Sequence, residues 1–517
     1  MYFSNTTAGG LGLRPLTKSF KPVLIYSNDA QDRGQTPMGR AYAYELEVKP
    51  SALAYSSQLD AFIVGTYELI ETKEAEERLK ADLRGFLTGA LDSDLQCSKI
   101  NSRFGSLYYF VNTNSIYGYR QFDHHICESG GVFDISLVLE DGIKNQIYVA
   151  HSNGSVGRYK IVIDKIQPIG DPIMVVEDTS ILLTCIDTFR EPPNHHSPTG
   201  TMVVVGDSKG NITSLTFARD GQQFDLAKVN VCQDAIWQVR FLPLWLKDPF
   251  DRQSEFSSPL LGKGRLVLVG AENSSWYIYE FKGGDQLVQL YKNDDFKAGI
   301  TSICNRLPAK RMYNKSVNRR AHLVFIGSYD ETIKEYVIER KICDDGSELD
   351  VRLLGSIKLP GAGIWRINLV SWHDFKTFVE EGNDKLVYDE LNVATMYAKP
   401  SKIQIPVDVD VDLSLRCSDD LDFDFPPFDK GAIVTQLDIP TICKESGDKT
   451  EDNTEGTRNA PLYYGYIRSN INSNSCFTDF NNRLCIFVEP DSAFSKEDWP
   501  YTKARFQPKG MLSRFLS

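Results

Sequence analysis

The sequence of 517 residues lacks the segments that carry a protein into or across a membrane. No run approaches the roughly 18 consecutive apolar residues that mark a membrane-spanning helix, and residues 1–10 contain no apolar core like that of a signal peptide. The ten cysteines are scattered, without a C-x-x-C pair or the spacing of zinc ligands. These absences predict a cytoplasmic protein with reduced thiols and no membrane insertion.

Motifs for cofactors and metals are also missing, since no Walker or dinucleotide-binding sequence occurs. The pairs His124-His125 and His195-His196 have no companion at ligand spacing, and adjacent side chains of a strand point to opposite faces. We therefore predict neither a cofactor nor a metal. The net charge of −12 argues against direct nucleic-acid binding. The basic residues 306–320 would suit RNA or an acidic partner, but we interpret them as a solvated loop.

Long helical patterns are scarce, and residues 71–95 form the one long stretch of this kind. The 24 Tyr and 28 Phe residues favour strands. Residues 323–339 read LVFIGSYDETIKEYVIE, in which an apolar run, a polar turn and an alternating run are typical of a β-hairpin. The same phrase recurs at residues 62–68, 147–161, 202–217, 265–281, 391–405 and 475–487.

A second element, a short apolar strand opened by a small residue, precedes several of these hairpins. It occurs at residues 131–139, 235–242, 299–304 and 363–370. Four antiparallel strands repeated seven times predict an all-β fold, a seven-bladed β-propeller of the WD-repeat type with long loop insertions. The sequence has no Trp-Asp dipeptide, and rings of six or eight blades remain open alternatives.

The repeat pattern predicts three regions along the chain. Residues 1–38 are expected to be a flexible amino-terminal segment, residues 39–490 the propeller, and residues 491–517 a carboxy-terminal tail. Residues 40–48 alternate like a strand but have no hairpin of their own, so we expect them to close the ring by completing the last blade. Insertions are expected at about residues 71–98, 191–200, 247–264, 306–320, 372–388 and 415–460.

In a propeller, the turns after the second strands and the starts of the innermost strands gather around one mouth of the central channel. Here the turns supply Asp330 and Glu331, and the inner strands supply Trp237, Trp365 and Arg366. Because tryptophan faces attract ammonium groups by about 0.5–2 kcal/mol each, these five residues are the predicted substrate-binding site, for a cation. The alternative is structural: the carboxylates cap their own turns and the tryptophans fill the blade interfaces. Other residues expected at the mouth are Tyr67, Glu68, His151, Ser152, Asp207, Ser208, Glu272, Asn273 and Asp479.

Residues 206–210, Gly-Asp-Ser-Lys-Gly, match the G-x-S-x-G pattern of a nucleophile elbow. An elbow requires a helix after the turn, whereas a strand is predicted here, so an ordinary hairpin turn is the competing interpretation. In a hydrolase, Ser208 and Asp207 would be the catalytic candidates, with His151 of the neighbouring turn as the base. Turn amides near Ser208, or Arg366, would stabilise the oxyanion.

Several phrases, taken in order, resemble one small WD-repeat family, the diphthine methyl ester methylesterases, also called diphthine methyltransferases. The most specific is GAGIWRI at residues 361–367, which follows the GSYDE hairpin. The resemblance spans about residues 40–490, outside the insertions. The matching segments are residues 64–69, 235–241, 327–336, 361–367 and 475–487.

The resemblance implies an esterase of diphthamide biosynthesis. Its substrate is translation elongation factor 2, from whose modified histidine it removes a methyl ester, giving diphthine and methanol. The substrate carries a trimethylammonium group, which an acidic mouth with tryptophans would suit. Other proteins of the diphthamide pathway are possible partners. The alternative function is a non-catalytic scaffold or adaptor, for example in trafficking or in a ubiquitin ligase.

Overall fold

The fold is seen in a computed structural model, which describes about half of the chain and places most of it in strands. No helix among the described residues is long and apolar enough to cross a membrane. The described residues are 18–19, 23–25, 39–46, 48–56, 59–73, 77, 103–112, 119–138, 146–162, 164–190, 199–218, 224–242, 265–281, 286–306, 313–314, 319–343, 346–371, 387–396, 398, 400–407, 432–436, 463–468, 475–479 and 483–488.

Three strands come first in the chain: β1 (Lys18–Ser19), β2 (Val23–Ile25) and β3 (Gly39–Glu45). Most of the strands that follow form six larger sheets, in each of which the strands succeed one another in chain order. The first sheet has the order β4-β5-β8-β9, and β6 pairs separately with β7. These strands are β4 (Pro50–Ser56), β5 (Ala61–Thr66), β6 (Glu68–Leu69), β7 (Arg103–Phe104), β8 (Ser106–Asn112) and β9 (Tyr119–Ile126).

The second, third and fourth sheets follow the same antiparallel plan. Each runs outward in chain order, and in the second sheet the short β14 also pairs with β12. The second sheet contains β10 (Val132–Val138), β11 (Gln146–His151), β12 (Ser155–Val162), β13 (Lys165–Pro168) and β14 (Ile173–Met174). The third contains β15 (Leu183–Arg190), β16 (Thr199–Asp207), β17 (Asn211–Ala218) and β18 (Phe224–Asn230), and the fourth contains β19 (Ile236–Phe241), β20 (Arg265–Ala271), β21 (Trp276–Phe281) and β22 (Leu287–Asn293).

In the fifth sheet the order is β23-β25-β26-β27, with β24 paired to β25, and in the sixth it is β28-β29-β30-β31. The fifth contains β23 (Ile300–Arg306), β24 (Tyr313–Asn314), β25 (Arg319–Ser328), β26 (Thr332–Cys343) and β27 (Gly346–Lys358). The sixth contains β28 (Ile364–Ser371), β29 (Val387–Thr395), β30 (Ser401–Val407) and β31 (Ile433–Gln436).

A closing sheet joins strands from both parts of the chain. It has the order β1-β3-β34-β33-β32, with β2 paired to β3. Its carboxy-terminal strands are β32 (Tyr463–Arg468), β33 (Ser475–Asp479) and β34 (Arg483–Val488). The pairing of β3 with β34 confirms that the strand near residue 40 completes the last sheet.

The first strands of the sheets meet around a common axis. Contacts run from β4 to β10, β15, β19, β23 and β28 in turn, and β32 contacts both β28 and β4. The small sheets are therefore arranged as a β-propeller, with the first strand of each sheet innermost. This confirms the all-β class and the propeller architecture.

The hydrophobic core lies between neighbouring sheets. Ile63 of β5 packs in one cluster with Val149 of β11, and Val204 of β16 packs in another with Val269 of β20. Because both faces of each sheet are covered, the second strands are continuous apolar runs, as in residues 202–205. Each fully buried side chain of this size contributes about 1.5–3 kcal/mol.

The expected insertions lie largely outside the described residues, as do the carboxy-terminal tail and most of residues 1–38. Two short strands lie wholly within the expected insertions, β24 within 306–320 and β31 within 415–460. The short β1 and β2 likewise place residues of the amino-terminal segment on the closing sheet. Among the described residues, Cys127, Cys185, Cys232 and Cys304 are free thiols.

Candidate functional site at the mouth of the channel

The starts of the first strands and the turns after the second strands lie side by side. In the antiparallel pairing, Leu183 faces Asp207, Ile300 faces Ser328, and Ile364 faces Thr395. These positions form one edge of the ring, as expected for the mouth of a propeller.

Each first strand has a register shift just after its first pair, so that one residue is left out of the ladder. Such a β-bulge turns a side chain away from its regular direction and is frequent next to functional sites. The residues at these bulges are Ser51, Phe133, Thr184, Trp237, Thr301, Trp365 and Tyr464.

Two of the bulge tryptophans meet in an aromatic cluster. The ring centroids of Trp237 and Trp365 are 6.0 Å apart at an interplanar angle of 59°. Tyr329, from the turn between β25 and β26, stacks on Trp365 with centroids 6.0 Å apart. All three rings are partly exposed. The structure thus brings together two of the predicted substrate-binding residues and adds Tyr329, which the sequence did not single out.

A carboxylate and a guanidinium complete this cluster. The indole N–H of Trp237 donates a hydrogen bond to Oε2 of Glu272, an exposed residue in the turn after β20. The guanidinium carbon of Arg366 lies 5.3 Å from the ring centroid of Trp365. Arg366 donates to Oε1 of the buried Gln238 at 3.0 Å and to the carbonyl of Thr301 at 2.7 Å. Arg366 is therefore held across the inner strands by neutral acceptors.

The cluster has the chemistry of a cation site. Electron-rich ring faces attract an ammonium group, and methylated ammonium ions suit them because their methyl groups also gain apolar contact. The Glu272 carboxylate adds an opposite charge at the edge of the Trp237 ring. A neighbouring Arg366 charge repels a cation, so the favourable position is on the Trp237 and Glu272 side.

Asp330 and Glu331 make structural contacts, both within their own turn and with neighbouring segments. Asp330 accepts hydrogen bonds from the Lys297 amide at 2.8 Å and from the Thr332 amide at 3.0 Å. Glu331 has a φ of 72° and lies 3.6 Å from the ammonium of Lys358. These contacts agree with the interpretation of turn carboxylates as caps.

Asp207 is likewise used by its turn. Its Oδ1 accepts from the amides of Lys209 at 2.8 Å and Asn211 at 2.9 Å, and its Oδ2 accepts from the Asn211 side chain at 2.8 Å. Oγ of Ser208 accepts from the Leu182 amide at 3.1 Å. Because β17 follows directly, residues 206–210 form a hairpin turn rather than a strand-to-helix elbow.

His151 is fully buried at the end of β11. Its Nε2 lies 3.1 Å from the hydroxyl of Tyr159, and the ring packs over Gly157. Burial lowers the pKa of His151 to about 4, so the imidazole is neutral near pH 7. His151 and Ser208 thus have separate partners, and the hydrogen bonds of the described residues do not join them.

The remaining candidates are structural or lie outside the described residues. Glu68 pairs with Lys49 at 3.7 Å. Burial lowers the pKa of His124 to about 3, and its ring packs on Tyr108. The described residues contain no group of three or more His, Cys, Asp or Glu side chains that could hold a metal. The His195-His196 pair and the side chain of Asp479 are not described.

Comparison of the sequence with the models of known protein families finds no matching family, and comparison with curated proteins finds no match. The fold and the geometry of the mouth therefore carry the functional argument.

Proposed function

We propose that this chain is a seven-bladed propeller whose mouth binds a protein side chain bearing a trimethylammonium group. The proposed reaction is hydrolysis of the methyl ester of methylated diphthine on translation elongation factor 2, giving diphthine and methanol. The observation that carries the proposal is the contact of Trp237 and Trp365 with Tyr329 and Glu272 beside them. Six sheets of consecutive strands plus the closing sheet support the blade number.

The arrangement supports binding of the substrate in two ways. The aromatic faces of Trp237, Trp365 and Tyr329 suit the methyl-bearing cation, each contact being worth about 0.5–2 kcal/mol. The exposed position of Glu272 leaves the edge of the site open to a side chain presented by a large protein. No cofactor is part of the proposed reaction.

Ester hydrolysis at this mouth would use water as the nucleophile, because Ser208 and His151 are engaged elsewhere. In this scheme Glu272 accepts a proton as water attacks the ester carbonyl, and the proton then passes to the departing methoxide to give methanol. Backbone amides at the mouth would donate to the oxyanion. The expected result for Ser208→Ala is unchanged turnover, whereas Glu272→Gln should lose turnover.

The deciding experiment uses purified chain and elongation factor 2 that carries the methyl ester intermediate. Mass spectrometry follows conversion of the methyl ester to the carboxylic acid under catalytic amounts of the chain. Conversion by the wild type and its loss in Glu272→Gln support the esterase. A matched control is Asp294→Asn, which changes an exposed carboxylate in the loop after β22.

A second candidate is an adaptor that binds the same methylated side chain without turnover. It is favoured by the structural contacts of Asp207, Ser208 and His151, which occupy the predicted catalytic groups. Stable binding of the modified factor without conversion of the ester would establish the adaptor. Failure of both binding and conversion would overturn both candidates.

A further inference from the structure

The bulge residues follow a pattern of hydroxyl and aromatic side chains around the mouth. Ser51, Thr184 and Thr301 occupy the bulges of the first, third and fifth sheets. Phe133, Trp237 and Trp365 occupy those of the second, fourth and sixth sheets. Each hydroxyl residue is thus followed, in the next sheet, by an aromatic residue at the corresponding position.

Each hydroxyl also contacts the sheet that carries the aromatic residue. Oγ1 of Thr301 donates to the carbonyl of Ile364 at 2.5 Å, and Ile364 directly precedes Trp365. Oγ1 of Thr184 bonds in the same way to the carbonyl of Ile236, which directly precedes Trp237.

The first pair of sheets repeats this contact. Oγ of Ser51 bonds to the carbonyl of Val132, which directly precedes Phe133. The same relation between hydroxyl, carbonyl and aromatic residue therefore occurs in three pairs of adjacent sheets.

The contact has a direct consequence for the direction of the aromatic ring. The hydroxyl donates a hydrogen bond to the carbonyl of the residue that directly precedes the bulge residue. Fixing that carbonyl fixes the plane of the peptide bond that leads to the next residue, because the peptide unit is planar. Thr301 therefore controls the direction in which the side chain of Trp365 leaves the backbone.

Thr301 has a second effect through its size. Trp237 and Trp365 belong to the fourth and sixth sheets, and Thr301 is the bulge residue of the fifth sheet between them. Its side chain is buried, its hydroxyl bonds to the Ile364 carbonyl, and the indole rings of the two flanking sheets lie at a centroid distance of 6.0 Å. An aromatic residue at this bulge would occupy the space between them.

We propose that Thr301 is a positioning residue for a methylated-ammonium site formed by Trp237, Trp365, Tyr329 and Glu272. Its hydroxyl sets the direction of Trp365, and its small volume permits the Trp237–Trp365 contact. The inference rests on the proposed binding function of the mouth, but it does not depend on esterase activity.

The test compares Thr301→Val, which keeps the shape but removes the hydroxyl, with Thr301→Ser, which keeps the hydroxyl. The probe is tetramethylammonium, and its affinity is read from tryptophan fluorescence. Near-ultraviolet circular dichroism of the free protein reports the coupling of the two indoles. The matched control is Ser51→Ala, which removes the corresponding hydrogen bond beneath Phe133, outside the cluster.

We expect Thr301→Val to weaken tetramethylammonium binding about tenfold and to reduce the dichroism signal, while Thr301→Ser and Ser51→Ala keep both. Wild-type affinity and dichroism in Thr301→Val would overturn the positioning role, as would an equal loss in Ser51→Ala. If the wild type does not bind the probe, the proposed binding function fails. In that case the positioning role of Thr301 is still tested, because the dichroism of Thr301→Val and Thr301→Ser can be compared in the free protein.

Discussion

Two regions of the same mouth use their side chains in opposite ways. In the turn at the end of β16, both carboxylate oxygens of Asp207 accept hydrogen bonds from backbone amides and a side chain of the same turn. At the bulges of β19 and β28, Trp237 and Trp365 leave the ladder and contact rings from other sheets. The Asp207 carboxylate thus bonds within its own turn, while the second region presents partly exposed rings to solvent.

Side chains at this mouth are available to a ligand only where their own turn or strand does not already use them. The Asp207 carboxylate is occupied by its own turn, because the turn has amides that need acceptors. A bulge residue has no such local obligation, since the ladder continues without it. Glu272 is also a turn residue, but its carboxylate accepts from a bulge side chain, so a residue type typical of active sites has to be judged here by its contacts and not by its place in a turn.

The largest effect should come from adding a side chain to the tight turn. Gly210 has a φ of 78°, and a Cβ there would lie 2.1 Å from the carbonyl oxygen of Cys232. Gly210→Ala should lower the free energy of unfolding by about 3 kcal/mol or more, because the clash adds to the backbone strain. The measurement is urea unfolding.

A matched control separates the clash from the strain. Gly361 has a φ of 76° but no atom within 4 Å of an added Cβ, so Gly361→Ala should cost only about 1–2 kcal/mol. Equal losses in the two variants would mean that the turn after β16 is not the more tightly packed region.

The next effect is on acid stability. The folded protein holds His151 with a pKa of about 4, below its ordinary 6.5, so the unfolded chain binds a proton first as the pH falls. The stabilisation is present above pH 6.5 and is lost toward pH 4, at up to about 1.4 kcal/mol per pH unit for this group. His151→Gln should reduce that slope between pH 6.5 and 4.

Tyr159→Phe provides the comparison, because it removes the hydroxyl beside Nε2 but keeps the buried imidazole. This variant should keep the steep loss of stability in acid. An unchanged slope in His151→Gln would show that His151 takes up its proton similarly in the folded and unfolded states.

Removing the turn cap should have a smaller effect. Asp207→Ala deprives the amides of Lys209 and Asn211 of their acceptor and should cost about 1–3 kcal/mol in unfolding free energy. Lys209→Ala changes an exposed side chain in the same turn and should stay within about 0.5 kcal/mol of the wild type. Equal stability of the two variants would contradict the structural role of Asp207.

Substitutions in the aromatic region should change the affinity for a bound cation. Trp237→Leu should weaken tetramethylammonium binding by about 3- to 30-fold, the range expected for one cation–π contact. Phe133→Leu alters the same bulge position in the second sheet and should leave the affinity unchanged. Isothermal titration calorimetry measures both, and a comparable loss in Phe133→Leu would move the site away from Trp237.

The smallest effect concerns the charge beside the rings. Glu272→Gln keeps an oxygen for the indole N–H of Trp237 but removes the negative charge, so affinity for tetramethylammonium should fall by less than about fivefold. The effect should shrink further at high salt, because the site is exposed. A salt-independent loss would indicate that the substitution moves the ring of Trp237 instead.

The sequence predicted much of the fold because its signals are local. The run of residues 323–326, the turn after it and the alternation that follows specify the hairpin of β25 and β26 without reference to other sheets. The closing strand β3 was predicted for a related reason, as an alternating segment without a hairpin of its own. The short β24 and β31 were missed, because two to four residues carry too little pattern.

The site was only partly predictable. Trp237 and Trp365 were identified because each follows a small residue and an isoleucine at the start of an inner strand, and Arg366 because it directly follows Trp365. Tyr329 was visible in the repeated phrase but gave no functional signal, and Gln238 and Thr301 gave none either. The pairing of Ser208 with His151 was inferred from equivalent turns, yet their side chains have different partners.

The sequence by itself determined the strands, the hairpins and the order in which the sheets follow one another, because side-chain periodicity and turn chemistry act over a few residues. Only the tertiary structure decided which side chains share the mouth. Trp237 and Trp365 meet because the ring brings the first strands of the fourth and sixth sheets to the same mouth. His151 is neutral because packing buries it beside Tyr159. Both outcomes depend on contacts between distant segments, which local patterns do not encode.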